Sequence, residues 1–151
     1  MNEPFIFRVR DCYYIRASYP SPAEHRHFAA HLVFALERPF TALVDGKSVE
    51  TVGIAIGSDV PHTILSVDPA LVVFIDELTP MSRCVKHTLL QGASWRALDA
   101  SVSSRVGKRW GEVRTETDAA TAAAETERLL GLQAEHAPAE DPRVLEAAAY
   151  M

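Results

Sequence analysis

Apolar and polar positions alternate in short runs along the first half of the chain. Phe5-Ile6-Phe7-Arg8-Val9 and Cys12-Tyr13-Tyr14-Ile15-Arg16 are rich in aromatic and β-branched residues, which suit a pleated, half-buried strand. Tyr19-Pro20-Ser21-Pro22 then interrupts the pattern, because two prolines remove backbone donors and exclude a central strand. Further strand-like runs cover residues 31–36, 40–44, 48–52, 53–56, 62–67 and 71–76. Asp45-Gly46, between the second and third of these, signals a tight hairpin because glycine accepts a positive φ. Asp68-Pro69 marks the last tight connection. Short strands separated by turn residues every roughly 8–12 positions predict a β-sandwich or barrel.

From Thr79-Pro80 the period changes. Thr suits a helix N-cap and Pro its first turn, and Met81, Val85 and Leu89 recur at helical spacing. Trp95, Leu98, Val102 and Val106 predict a second helix, broken at Gly107 and Gly111. Asp118 is placed to cap a third helix over residues 119–132, where Ala122, Thr126, Leu129 and Gln133 form a thin stripe. So narrow a face suits either a dimer seam or a helix lying on the barrel. A polar linker, His136-Ala137-Pro138-Ala139-Glu140-Asp141-Pro142, leads to a last segment that reads as the start of a helix. The expected organisation is a β-barrel over residues 1–78, a helical dimerisation appendage over 79–135, and a linker opening a further domain over 136–151.

The run from His31 is apolar on both faces. Val33 and Ala35 share the histidine's side, whereas Leu32, Phe34 and Leu36 point the other way. A strand of this kind is covered on both faces. One cover is the barrel interior; the other is a second sheet, the C-terminal helices or a partner subunit.

With 151 residues, 48% of them hydrophobic and 23% charged, the chain can bury a core of its own. Its net charge of −5 argues against a nucleic-acid surface, which needs clustered Lys and Arg. The first 14 residues carry charges and no apolar signal-peptide core. No run approaches the roughly 18 apolar residues of a membrane span, so no membrane partner and a cytoplasmic location are expected. Cys12 and Cys84 have no metal or redox spacing and read as reduced thiols.

Histidines carry the candidate chemistry. His25-Arg26-His27 places two imidazoles on one side of an extended segment, with His31 four residues on and His62 about thirty beyond that. Two imidazoles from one strand and one from a facing strand make three sides of a metal site, and Zn, Fe, Ni and Mn all accept imidazole nitrogen at about 2.1 Å. On a straight strand His31 stands roughly 20 Å from His25, too far to share an ion unless the chain reverses at 28–30. The alternative is that these histidines are polar groups of a pocket or surface with no metal. His87 and His136 read as solvated.

His25-Arg26-His27-Phe28-Ala29-Ala30-His31 resembles the first cupin motif, in which HxH is followed by Glu; here His31 stands at the Glu position. Gly53-Ile54-Ala55-Ile56-Gly57-Ser58-Asp59-Val60-Pro61-His62 resembles the second, in which a turn leads to one His, with Gly57-Ser58-Asp59 replacing the usual turn and no trailing Asn. HxH running into Leu32-Val33-Phe34-Ala35-Leu36, the segment Val72-Val73-Phe74-Ile75-Asp76 before Leu78-Thr79-Pro80, and Asp141-Pro142-Arg143-Val144-Leu145-Glu146-Ala147-Ala148 look like AraC-type transcription regulators. In that family such a final segment opens the helix-turn-helix DNA reader.

The resemblance implies a mainly β fold with C-terminal helices: a cupin-like jelly-roll barrel followed by two or three α-helices. It implies a sensor domain that binds a small-molecule effector or a divalent metal (Zn, Ni, Fe or Mn), pairs as a homodimer, and touches DNA only through a further C-terminal domain. Tyr14, His25, His27, His31 and His62 are the expected ligand-binding residues, with the four histidines as the metal set and Phe40 and Trp95 as walls. No catalytic residue is expected. The alternative is a stand-alone metal-dependent cupin enzyme of the dioxygenase or isomerase type.

Overall fold

The alternating runs of the first half become β1 (Phe5–Val9), β2 (Cys12–Ala17), β3 (Ala30–Ala35), β4 (Phe40–Val44), β5 (Lys47–Thr51), β6 (Gly53–Ile56), β7 (His62–Leu65) and β8 (Ala70–Ile75). The computed structural model describes residues 5–9, 12–18, 29–65 and 68–132. His25, His27, the turn at 19–22, His136 and the segment at 141–148 lie outside them. Asp45 and Gly46 have φ of 49° and 80°, the double left-handed conformation of a two-residue hairpin turn, and join β4 to β5 as the sequence indicates.

After β8 come α1 (Pro80–Val85), a π-helical turn (Lys86–Leu90), β9 (Trp95–Ala97), α2 (Ala100–Gly111) and α3 (Glu116–Leu130). Thr79 caps α1 by accepting from the Ser82 amide, as expected. Three features depart from the sequence expectation. Trp95 belongs to a strand, so the stretch 79–135 is not wholly helical: β9 joins the barrel by pairing with β6. The second helix starts later, at the Asp99 cap, and runs through Gly107. The third is capped by Thr115, not Asp118. Asp118 instead lies one turn inside, where it accepts from the Arg109 guanidinium at 2.6 and 3.1 Å; that pairing holds the Asp118 carboxyl below its ordinary range.

The strands form two antiparallel sheets, a six-stranded β1-β2-β8-β3-β6-β9 and a three-stranded β5-β4-β7. Consecutive strands change sheet from β3 to β4, β5 to β6, β6 to β7 and β7 to β8, and β8 returns to lie between β2 and β3. This is Greek-key winding across two facing sheets, the jelly-roll plan. The fold is thus mainly β with C-terminal helices, as expected. No helix of the described residues is long and apolar enough to cross a membrane.

Side-chain alternation divides the core in two. Val33, Ala35, Ile54, Ile56, Ala70 and Val72 of the large sheet pack against Phe40, Ala42, Val44 and Ile64 of the small one. On its other face the large sheet presents Leu32, Phe34, Leu71, Val73 and Tyr14 to Met81, Val85, Val106, Trp110 and Ala122 of the helices. Of the covers open to β3, its histidine side takes the second sheet and its Leu32–Phe34 side takes the helices.

The helices sit very close to the sheet. A Cβ on Gly107 would collide with the Ala35 carbonyl oxygen, and one on Gly53 with the Ser103 side chain. Glycine inside α2 is therefore a packing requirement, which outweighs its poor helix propensity. Arg16 on β2 donates to the Trp110 and Val113 carbonyls at 2.6 and 2.8 Å, tying sheet to helix end, where a cation also meets the negative end of the helix dipole. Burial, and the nearby Arg114, lower the Arg16 pKa.

Candidate functional site

His31 lies on β3 of the large sheet and His62 opens β7 of the small one. The pairing of β3 with β8 and β6 sets His31 between Phe74 and Ile56, and Trp95 stands opposite Ile56. Directly opposed residues in antiparallel strands share a face, so Phe74, His31, Ile56 and Trp95 form one row on the interior side. His62 stands opposite Val44. It is presented by a turn in which Asp59 has φ of 60°, Gly57 donates to the Ser94 carbonyl at 2.8 Å and Pro61 accepts from the Asp45 amide at 2.9 Å.

The two imidazoles meet between the sheets. Their Nε2 atoms are 3.1 Å apart and their ring centroids 4.5 Å, with side chains 3% and 1% exposed. The Phe74 ring lies 5.4 Å from that of His31. His62 Nδ1 is 2.8 Å from the Val60 carbonyl oxygen. A carbonyl only accepts, so Nδ1 carries the hydrogen. In the neutral ring His62 Nε2 then holds a lone pair aimed at His31, and His31 Nε2–H is the donor between them.

The same arrangement suits a shared ion. Two nitrogens 3.1 Å apart, each about 2.1 Å from one metal, subtend roughly 95° at it. A ligating histidine commonly donates its other N–H to a backbone carbonyl, which fixes the ring and raises its basicity, as His62 does to Val60. The donor pair therefore fits a divalent transition metal as two of its ligands. Among the described residues no group of three His, Cys, Asp or Glu side chains is placed to hold an ion.

Of the expected site residues, the structure brings His31 and His62 together. His25 and His27 lie outside the described residues. Tyr14 requires a correction: it points to the helix side of the large sheet, stacked on Trp110 with centroids 4.7 Å apart and planes 12° apart. Tyr13 holds the histidine-side position instead, opposite Phe74, because side chains one residue apart on a strand face opposite ways. Phe40 is in the interior cluster but four residues from Val44, roughly 13 Å along β4, so it is core rather than pocket wall. Trp95 is partly buried against the interior cluster at the end of the histidine row. His87 is exposed.

Sequence reasoning missed Phe74, Tyr13, Ile56 and Val60. The alternation of Val72, Phe74 and Asp76 was visible, but not that β8 inserts beside β3. A recess of about 320 Å³ opens beside this row, lined by Tyr13, Ala29, Phe74, Ile75, Asp76 and Glu77.

No family model matches the chain, and no curated protein is similar enough in sequence to count as a relative. Solved structures do align with part of it. A protein from Neisseria meningitidis is 16% identical over 49% of this chain and 84% of its own, with a TM-score of 0.41. A cupin protein from Bacteroides fragilis is 14% identical over 49% and 75%, with a TM-score of 0.40. An RmlC-like cupin from Shewanella frigidimarina is 15% identical over 48% and 84%, with a TM-score of 0.34.

Proposed function

We propose that this chain is the effector- or metal-sensing, dimerising domain of an AraC-type regulator, with the His31–His62 pair at the centre of its ligand site. The observation that carries the proposal is that two imidazoles from different sheets converge at 3.1 Å inside an apolar sandwich. Core packing alone gains little from such a pair. Two buried polar rings must be desolvated, and each hydrogen bond they make returns only about 1 kcal/mol net, whereas aliphatic side chains of similar volume fill the same space without that cost.

β3 links site to helices: His31 faces the ligand side, while Leu32 and Phe34 pack under the helical layer. A ligand that binds one arrangement of β3 more tightly shifts the population of helix packings, and so the position of whatever follows α3. His25 and His27 are the proposed remaining ligands. A bound divalent metal would supply positive charge for an anionic or carbonyl-bearing effector. The enzyme alternative uses the same histidines and is judged by turnover of the metal-loaded protein.

The test is a titration of the metal-free protein with Zn²⁺ and Ni²⁺, followed by calorimetry. One ion per chain is expected, with affinity falling at least roughly tenfold in His31→Ala and in His62→Ala, since each removes a ligand. Unchanged affinity in both variants would remove the metal reading. A coding sequence continuing into two helix-turn-helix units would support the regulator reading; a downstream domain of another kind would contradict it.

A further inference from the structure

We propose that the recess beside the histidine row binds a small organic cation, an ammonium carried on an apolar body. This site goes beyond the histidine pair, from which the Phe74 ring separates it: Phe74 lines the recess and contacts His31 on the other side at 5.4 Å. The volume of about 320 Å³ lies at the small end of the range for small-molecule pockets.

The lining sets the ligand chemistry. Tyr13 and Phe74 are opposed across β2 and β8 and offer two aromatic rings, Ala29 is apolar, and Asp76 and Glu77 are the charged members; Ile75 borders the recess while belonging to the helix-side core. An aromatic face attracts cations through its quadrupole. The protein already uses Tyr13 in this way, with the Arg8 guanidinium carbon 5.6 Å from the ring centroid. Asp76, the first residue past β8, lines the recess, and one of its oxygens accepts from the Leu78 amide at 3.1 Å, which orients the carboxylate. Glu77 is engaged by Lys86 and Ser82, so Asp76 is the principal counter-charge. An anionic ligand would meet two carboxylates in this lining, while the basic groups beside it are already engaged, Arg8 over the Tyr13 ring and Lys86 with Glu77.

Phenethylammonium is a suitable probe, with 3-phenylpropionate as its anionic counterpart of similar shape and ligand-observed NMR titration as the readout. Phenethylammonium should bind with a Kd of about 1 mM or tighter, and 3-phenylpropionate at least roughly tenfold more weakly. Asp76→Asn, which keeps the oxygen that accepts from Leu78, should weaken the cation about tenfold; Tyr13→Ala should do the same and Tyr13→Phe much less. Both positions are exposed, so the variants should melt like the parent. Equal binding of the two probes, no binding of either, or an Asp76→Asn variant with unaltered affinity would overturn the proposal. Asp76→Asn should leave the Zn²⁺ and Ni²⁺ titrations unchanged, so this site and the histidine site stand or fall separately.

Discussion

At the scale of single residues, the chemistry depends on which side of a strand each side chain takes. His31, Val33 and Ala35 fall on one side of β3 and Leu32 and Phe34 on the other, a parity plain in the sequence once the strand is recognised. The parity of β2 was not plain. Tyr13 and Tyr14 are adjacent, and the choice between them is made by Cys12, Tyr14 and Arg16 lying beneath the helices, contacts more than ninety residues distant in the Arg16 case. His62 was legible as a histidine after a turn, but its Val60 partner was not. The contact between the two rings predicts energetic coupling. In a double-mutant cycle on His31→Ala and His62→Ala, denaturant unfolding should show a coupling of about 0.5–3 kcal/mol. Additivity within about 0.3 kcal/mol would mean that the rings do not interact.

At the scale of elements, strands were easier to read than helices because each strand's period and turns are local. Asp45-Gly46 specified its hairpin by backbone conformation alone. Trp95 and Gly107 misled for one reason: both answer to tertiary contacts. Trp95 completes the sheet beside Ile56, and Gly107 lets α2 approach the Ala35 carbonyl. Substituting the two glycines of α2 separates these effects. Gly107→Ala should destabilise by roughly 1–3 kcal/mol through overpacking, despite the ~1 kcal/mol that Ala gains over Gly in a free helix. Gly111→Ala, where a Cβ meets nothing within 4 Å, should be neutral or stabilising. Thermal melts that rank the two variants the other way would refute the close approach of α2 to the sheet.

For the molecule as a whole, the class of fold followed from the sequence, whereas the sheet order did not, because β8 inserting between β2 and β3 leaves no local trace. That insertion creates the histidine row and the recess beside it, and it makes β3 the wall between the ligand side and the helical layer. The central claim is that His31 and His62 form a ligand site and not merely a hydrogen bond within the core. Its most direct test is a Zn²⁺ titration followed by ¹⁵N NMR of the imidazoles. The account predicts that the Nε2 resonances of His31 and His62 shift together, saturating at one equivalent, while His62 Nδ1 stays protonated against Val60. A response confined to exposed His87, with both buried rings unmoved, would contradict it.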